Sequence, residues 1–235
     1  MISIIMVAYN AEKFLKPAIE SVINQSISDW ELLVVIDPSQ DNTIKIAREF
    51  ERDKKVNVIV NEKRLGISTS RNIGIKNSKG DYICFLDSDD IYENDKLEKQ
   101  IDFMNKHDVA MIYTDYTEIN ENGKELEKVI SDDFDIELLK DHNFIPCGSV
   151  MIRKSIVERV GGFDSAIKMA EDYDLWLRIA LTGYKIERLP IFSYRRRLHP
   201  GQVSQWYLYK TGKIKERRGL EESLKQIKNK FNISC

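Results

Sequence analysis

The first 86 residues repeat one pattern, and that pattern leaves few folds open. Short, largely apolar runs at residues 2–8, 32–36, 56–60 and 82–86 alternate with segments whose apolar residues recur at helical spacing. Such runs suit strands covered on both faces. Between them, Phe14, Leu15, Ala18, Ile19, Val22 and Ile23 form one apolar helix face, and Ile44, Ala47 and Phe50 mark a second helix. A third helix is expected to open at Ser68 or Thr69 and run through Ile73, with Asn10 placed to cap the first. Strand–helix alternation of this kind requires right-handed crossovers, so the chain reads as α/β, with a mostly parallel central sheet flanked by helices. Ligands of such sheets sit at the carboxyl ends of the strands. That rule flags Ala8-Tyr9-Asn10, Asp37, residues 66–72 and Asp87-Ser88-Asp89-Asp90 before any motif is considered.

The second half is less regular. Residues 109–114 and 147–153 read as strands, Asn122-Gly123 as a turn, and residues 171–181 as a helix carrying Leu175, Trp176 and Ile179. A short strand follows Gly183, then a basic segment, Tyr194-Arg195-Arg196-Arg197-Leu198-His199. From Tyr207 the chain reads as a charge-rich helical tail. The expected organisation is one domain over residues 1–206, with halves 1–114 and 115–206, followed by the basic tail 207–235.

Several groups of residues can carry chemistry. Asp87, Asp89 and Asp90 crowd three carboxylates at a strand end, and a hard divalent cation such as Mn²⁺ or Mg²⁺ relieves their repulsion. A single aspartate there would read as a helix cap. Glu171-Asp172 opens a helix, where acids also serve the helix dipole. Arg71, near a helix N-terminus at a strand end, suits a diphosphate and equally a surface position. His199 is a candidate metal or phosphate ligand in a basic loop that solvent alone would also explain.

Composition narrows the class. A formal net charge of −2 gives no reason to expect nucleic acid. Cys84, Cys147 and Cys235 are widely spaced and odd in number, which fits a reducing compartment. No stretch approaches the roughly 20 apolar residues of a membrane span, and the N-terminus lacks a basic leader. The expected location is the cytoplasm, or the inner face of the cell membrane as a peripheral protein; the basic tail is the candidate contact there, although its charge pattern reads first as a solvated helix.

Taken in order, these elements resemble glycosyltransferase family 2, the inverting enzymes of GT-A fold, from about residue 2 to residue 204. The resemblance implies transfer of a sugar from a nucleotide-diphosphate sugar, first of all a UDP-hexose or UDP-N-acetylhexosamine. The acceptor would be a hydroxyl of a glycan or lipid-linked glycan in bacterial surface polysaccharide synthesis. It implies that Ala8, Tyr9 and Asn10 line the base pocket, with Asp37 accepting from the base. Asp87 and Ser88 would lie by the ribose, Arg71 by the diphosphate or base, and Asp89 on the metal. Asp172 matches the catalytic base, with Glu171 as its neighbour and the alternative base, and the 194–204 segment matches a closing loop from which His199 reaches metal or diphosphate. The chain departs from the family where paired acids are common: Ile36 precedes Asp37, and Pro38 replaces a frequent glycine. Two other classes compete. A nucleotidyltransferase would carry a glycine-rich basic loop after the first strand, where residues 8–13 have no glycine. A non-catalytic nucleotide-sugar-binding module would lack the acids at 171–172.

Overall fold

A computed structural model describes residues 1–202 and 220–233. Its first half follows the alternation of the sequence: β1 (Ile2–Ala8), α1 (Leu15–Ile23), β2 (Trp30–Ile36), α2 (Thr43–Glu49), β3 (Val56–Val60), α3 (Ile67–Asn77) and β4 (Tyr82–Asp87). The second half comprises β5 (Ile91–Tyr92), α4 (Lys96–Lys106), β6 (Met111–Ile119), β7 (Glu125–Val129) and α5 (Ile136–Asp141). It continues with β8 (Met151–Arg153), α6 (Lys154–Arg159), α7 (Glu171–Leu181), β9 (Ile186–Arg197) and α8 (Leu220–Lys230).

Among the described residues the strands form one nine-stranded sheet, ordered β3-β2-β1-β4-β8-β6-β9-β5, with β7 paired to β6. β3, β2, β1 and β4 are parallel. β8 runs against both β4 and β6, while β6 and β9 are again parallel. From β1 the chain steps outward to β2 on one side and to β4 on the other. That reversal opens a crevice at the carboxyl ends of β1 and β4, where α/β sheets bind ligands. The 114/115 division falls inside β6, and β8, from later in the chain, is inserted between β4 and β6. The two halves therefore share one sheet.

Pleating sends alternate side chains of the buried strands into two cores. Ile2, Ile4, Met6 and Ala8 of β1 join Cys84 and Leu86 of β4 under α1 and α4. Ile5, Ile83 and Phe85 pack on the other face with Trp176 and Leu177 of α7. Gly74 of α3 lies so close to β1 that a Cβ there would come within 2.5 Å of Ile5 Cγ2. This approach seats α3, and Arg71 with it, deep against the sheet.

Several local expectations are corrected. Asn10 does not cap α1, which begins at Leu15 after Phe14. Helix α3 starts at Ile67, after Gly66 at φ +82°, and continues to Asn77. Residues 147–149 form a short 3-10 turn before the three residues of β8. Tyr194 to Arg197 are the end of the long strand β9, not a loop. Of the tail from Tyr207 and the closing segment to Ser204, residues 203–219 lie outside the described residues. The remainder, α8, is not a solvated helix: Ile227 is fully buried in the core beneath α7, and Lys230 Nζ reaches Asp164 and the buried Asp174 at 2.8 and 2.7 Å. No helix among the described residues is long and apolar enough to cross a membrane.

Candidate active site

At the end of β1, Ala8 is buried and the Tyr9 ring is 37% exposed, with the Arg64 guanidinium 4.1 Å from its centroid. The next residue, Asn10, is left-handed at φ +48°. Its N–H donates to Ser39 Oγ (3.1 Å) and its Oδ1 accepts from the Gln40 N–H (2.9 Å), tying together the loops after β1 and β2. A non-glycine residue in this conformation costs energy, and such strain gathers at functional sites.

Asp37 is buried, with four donors on its carboxylate. Asn61 Nδ2 and Ser70 Oγ reach Oδ1 at 2.8 and 3.3 Å, and the Leu65 and Gly66 amides reach Oδ2 at 3.1 and 2.9 Å. These donors fill the roughly four acceptor positions a carboxylate offers. The carboxylate thereby anchors the 61–66 loop and holds Arg64 beside Tyr9.

Arg71 lies beneath the crevice, 2% exposed, not at its surface. One arm of its guanidinium donates to Asp87 Oδ1 at 2.8 Å and the other to Glu171 Oε1. Its Cζ lies 5.2 Å from the Phe163 ring centroid, and Asn72 clasps both backbone groups of Phe163 at 2.8 Å. One buried cation therefore joins the strand end of β4 to the start of α7.

Beyond Asp87, whose side chain is 40% exposed, the partly buried Ser88 leads to Asp89. Asp89 Oδ2 is 2.9 Å from His199 Nε2. The imidazole packs on Phe14, ring centroids 4.8 Å apart. Arg197 sets this geometry: its N–H donates to Asp90 Oδ1 and its Nε to the Asp89 carbonyl, each at 2.8 Å. Burial, then the charges of Asp89 and Asp87, push the Asp90 carboxyl well above the usual carboxylate range. Asp90 is thus a structural clasp on β9. Among the described residues no group of three or more His, Cys, Asp or Glu side chains converges. Asp89 and His199 offer one oxygen and one nitrogen. That set suits Mn²⁺ or Mg²⁺ when substrate phosphates and water complete the shell.

Across from them, α7 opens after Ala170, left-handed at φ +57°. Glu171 is buried against Arg71. Asp172 is half-buried, and burial together with the neighbouring Glu171 charge pushes its carboxyl up to about 7, with Arg71 opposing. A carboxylate poised near neutrality is suited to general base catalysis.

Comparison with known proteins decides the family. The model described as Glycosyl transferase family 2 matches residues 3–161. The chain belongs to glycosyltransferase family 2. Among its curated relatives is the UDP-Glc:alpha-D-GlcNAc-diphosphoundecaprenol beta-1,3-glucosyltransferase WfgD of Escherichia coli. The two are 36% identical over 179 residues, covering 76% of this chain and 69% of WfgD. Staphylococcus aureus TarS, solved in complex with UDP, superposes with a TM-score of 0.72 at 21% identity, over 85% of this chain and 61% of that one. The mannosyltransferase PcManGT of Pyrobaculum calidifontis, solved with GDP-Man and Mn²⁺, gives 0.70 at 15% identity, over 95% and 68%. Both structures share the GT-A fold of this family 2 chain.

The structure adds residues that the sequence reading missed. Arg64 and Asn61 sit in the loop after β3, a strand end that the fold rule already flags. Arg197 was read only as part of a charge run. Asn143, which donates to Asp172, carried no signal: it stands alone between α5 and the 147–149 turn.

Proposed function

We propose that this glycosyltransferase moves a hexose or N-acetylhexosamine from a UDP-sugar to a hydroxyl of a lipid-linked glycan, with inversion at the anomeric carbon. The bridge by which Arg71 ties Asp87 to Glu171 carries this reading. It fixes the donor-side strand end and the acceptor-side helix start against one shared group.

In this reading Tyr9 stacks on the base, with Arg64 beside it, and Ala8 and Asn10 shape the pocket floor. Asp37 acts through the loop that it anchors. Asp87 and Ser88 lie by the ribose. Asp89 and His199 would hold Mn²⁺ or Mg²⁺, which when bound supplies positive charge to the diphosphate. Asp172 takes the proton of the acceptor hydroxyl. The oxygen attacks the anomeric carbon from the face opposite the diphosphate, which leaves with the bonding pair, so one displacement inverts the centre. Glu171, neutralised by Arg71, stays out of the proton transfer. The UDP complex of TarS and the UDP-glucose named for WfgD support a uridine donor, and the diphosphoundecaprenol of WfgD supports a lipid-linked acceptor.

Calorimetry against UDP, GDP and CMP, each with Mn²⁺ and with EDTA, tests the donor side. UDP is expected to bind with Mn²⁺ and to weaken at least about tenfold with EDTA, the scale of losing contacts to charged groups. Asp89→Asn is expected to lose the same factor in Mn²⁺ and to become insensitive to EDTA. Equal UDP affinity with Mn²⁺ and EDTA in the parent protein would remove the metal from the reading.

A further inference from the structure

Resting on the assignment of Asp172 as base, we propose that Asn143 is a positioning residue for it. Its amide fixes Oδ1 of Asp172 and leaves Oδ2 to take the proton of the acceptor hydroxyl.

Asp172 Oδ1 accepts twice, from the Tyr173 N–H at 2.8 Å and from Asn143 Nδ2 at 3.3 Å. Among the described residues no hydrogen bond engages Oδ2. A carboxylate with one oxygen committed and one open has a single reactive oxygen in a defined direction, which is what proton abstraction from a bound hydroxyl requires.

The amide of Asn143 can point only one way. Its Oδ1 accepts from the Ile145 N–H at 3.1 Å. Exchanging oxygen and nitrogen would set an NH₂ against that N–H and an oxygen against the carboxylate, losing both bonds. The segment carrying Asn143 is also strapped to the helix of the base. Tyr173 OH donates to the Lys140 carbonyl at 2.8 Å, and Trp176 Nε1 donates to the Ile145 carbonyl at 3.1 Å. Farther along, Gln100 and the buried Lys96 hold the Ser149 carbonyl at 2.8 and 3.3 Å. Asn143 therefore stands on a platform tied to α7 on both sides of the contact.

The charged and titratable groups facing Asp172 are Glu171 from its own helix, Arg71 from α3, Asp87 from β4 and the Cys147 thiol from the 147–149 turn. Asn143 adds a neutral donor, which favours the ionised form and opposes the pull of burial.

The test reads Asp172 directly. Its side-chain carboxyl carbon is followed by ¹³C NMR from pH 4 to 9 in the full chain labelled at aspartate, in EDTA, the signal being assigned by its loss in Asp172→Asn. Asn143→Ala is expected to raise the midpoint by about one pH unit, as loss of a donor to a carboxylate should. Asn143→Asp keeps the size and the acceptor for the Ile145 N–H while replacing the donor by a second carboxylate, and is expected to raise it further. Turnover of both variants should fall about tenfold or more at pH 7, with UDP affinity unchanged. A midpoint that stays put in both variants would overturn the proposal. So would a loss of UDP affinity that matches the loss of turnover, because it would place Asn143 on the donor side. Persistent turnover of Asp172→Asn is a different failure: it removes the base assignment itself, whatever Asn143 does.

Discussion

Asp172→Asn is expected to lower turnover by about 10²- to 10⁴-fold, the range attributed to a positioned general base, while UDP-sugar affinity stays within about twofold. Asparagine keeps the shape and can still accept the Tyr173 N–H, so the loss reports proton transfer and not collapse of the helix start. Burial and Glu171 push the carboxyl up to about 7. The pH profile of kcat/KM should therefore rise through neutrality, the enzyme being inactive where Asp172 is protonated, and this rising limb should vanish in the variant. The same shift fixes a stability effect and its sign. A carboxylate raised in the folded state favours folding while protonated. That contribution is complete below the ordinary aspartate range and fades as pH rises through about 7. Asp172→Asn should accordingly melt higher than the parent at pH 8, with the difference closing at pH 4. Thermal melts at the two pH values alongside a pH–rate profile check both statements. An unchanged profile with normal turnover would move the base elsewhere.

The parts of this chain that were legible are those whose signal is local. Continuous apolar runs such as Ile2–Ala8 declare strands buried on both faces. The rule that ligands sit at strand carboxyl ends then selects Tyr9, Asp37 and Asp87 without reference to any contact. The helix over residues 171–181 was equally plain from its spacing. Side-chain direction was not. Whether Arg71 faces a diphosphate or the protein interior depends on how closely α3 approaches the sheet. That distance is set by Gly74 against Ile5 and by the clasp of Asn72 on Phe163, both of them tertiary. Nor does sequence show the protein donors around Asp37, a candidate acceptor for the base: its carboxylate carries four, from the 61–66 loop and from Ser70 of α3. Tyr194 to Arg197 read as a basic loop because their partners are distant: Arg195 meets Glu93 at 2.7 Å and Arg197 meets the 89–90 backbone and carboxylate. With Arg195 paired to a carboxylate and Arg197 held by backbone carbonyls, the segment extends a strand. The tail failed in the same way. Lysines at 225, 228 and 230 advertise a solvated helix, while the opposite face, with Ile227 buried and Leu224 and Phe231 packed beside it, is docked on the core.

Arg71→Met is expected to cost about 3–5 kcal/mol of folding stability, the range for removing one partner of a buried ion pair. The guanidinium is 2% exposed and serves two carboxylates from separate elements, Asp87 at the end of β4 and Glu171 at the start of α7. Methionine fills comparable volume against Phe163 and Phe85, so the loss measures unpaired charge and not a cavity. Glu171 bears most of it, being buried with Arg71 as its partner, whereas Asp87 keeps access to water. Arg71→Lys should recover part of the stability and little of the geometry. A single ammonium cannot present two separate N–H arms to carboxylates on opposite sides. The lysine variant therefore isolates the catalytic consequence. With the opposing positive charge displaced, Glu171 acts on Asp172 less shielded, and the midpoint near 7 should move up, shifting the rising limb of the pH profile with it. Urea unfolding of all three proteins at pH 7.5, with a pH–rate profile of Arg71→Lys, checks the pair of expectations. If Arg71→Met unfolds within about 1 kcal/mol of the parent, near the value of an exposed pair, Arg71 does not bind the two halves of the site together, and the geometry that unites donor and base must rest on the shared sheet alone.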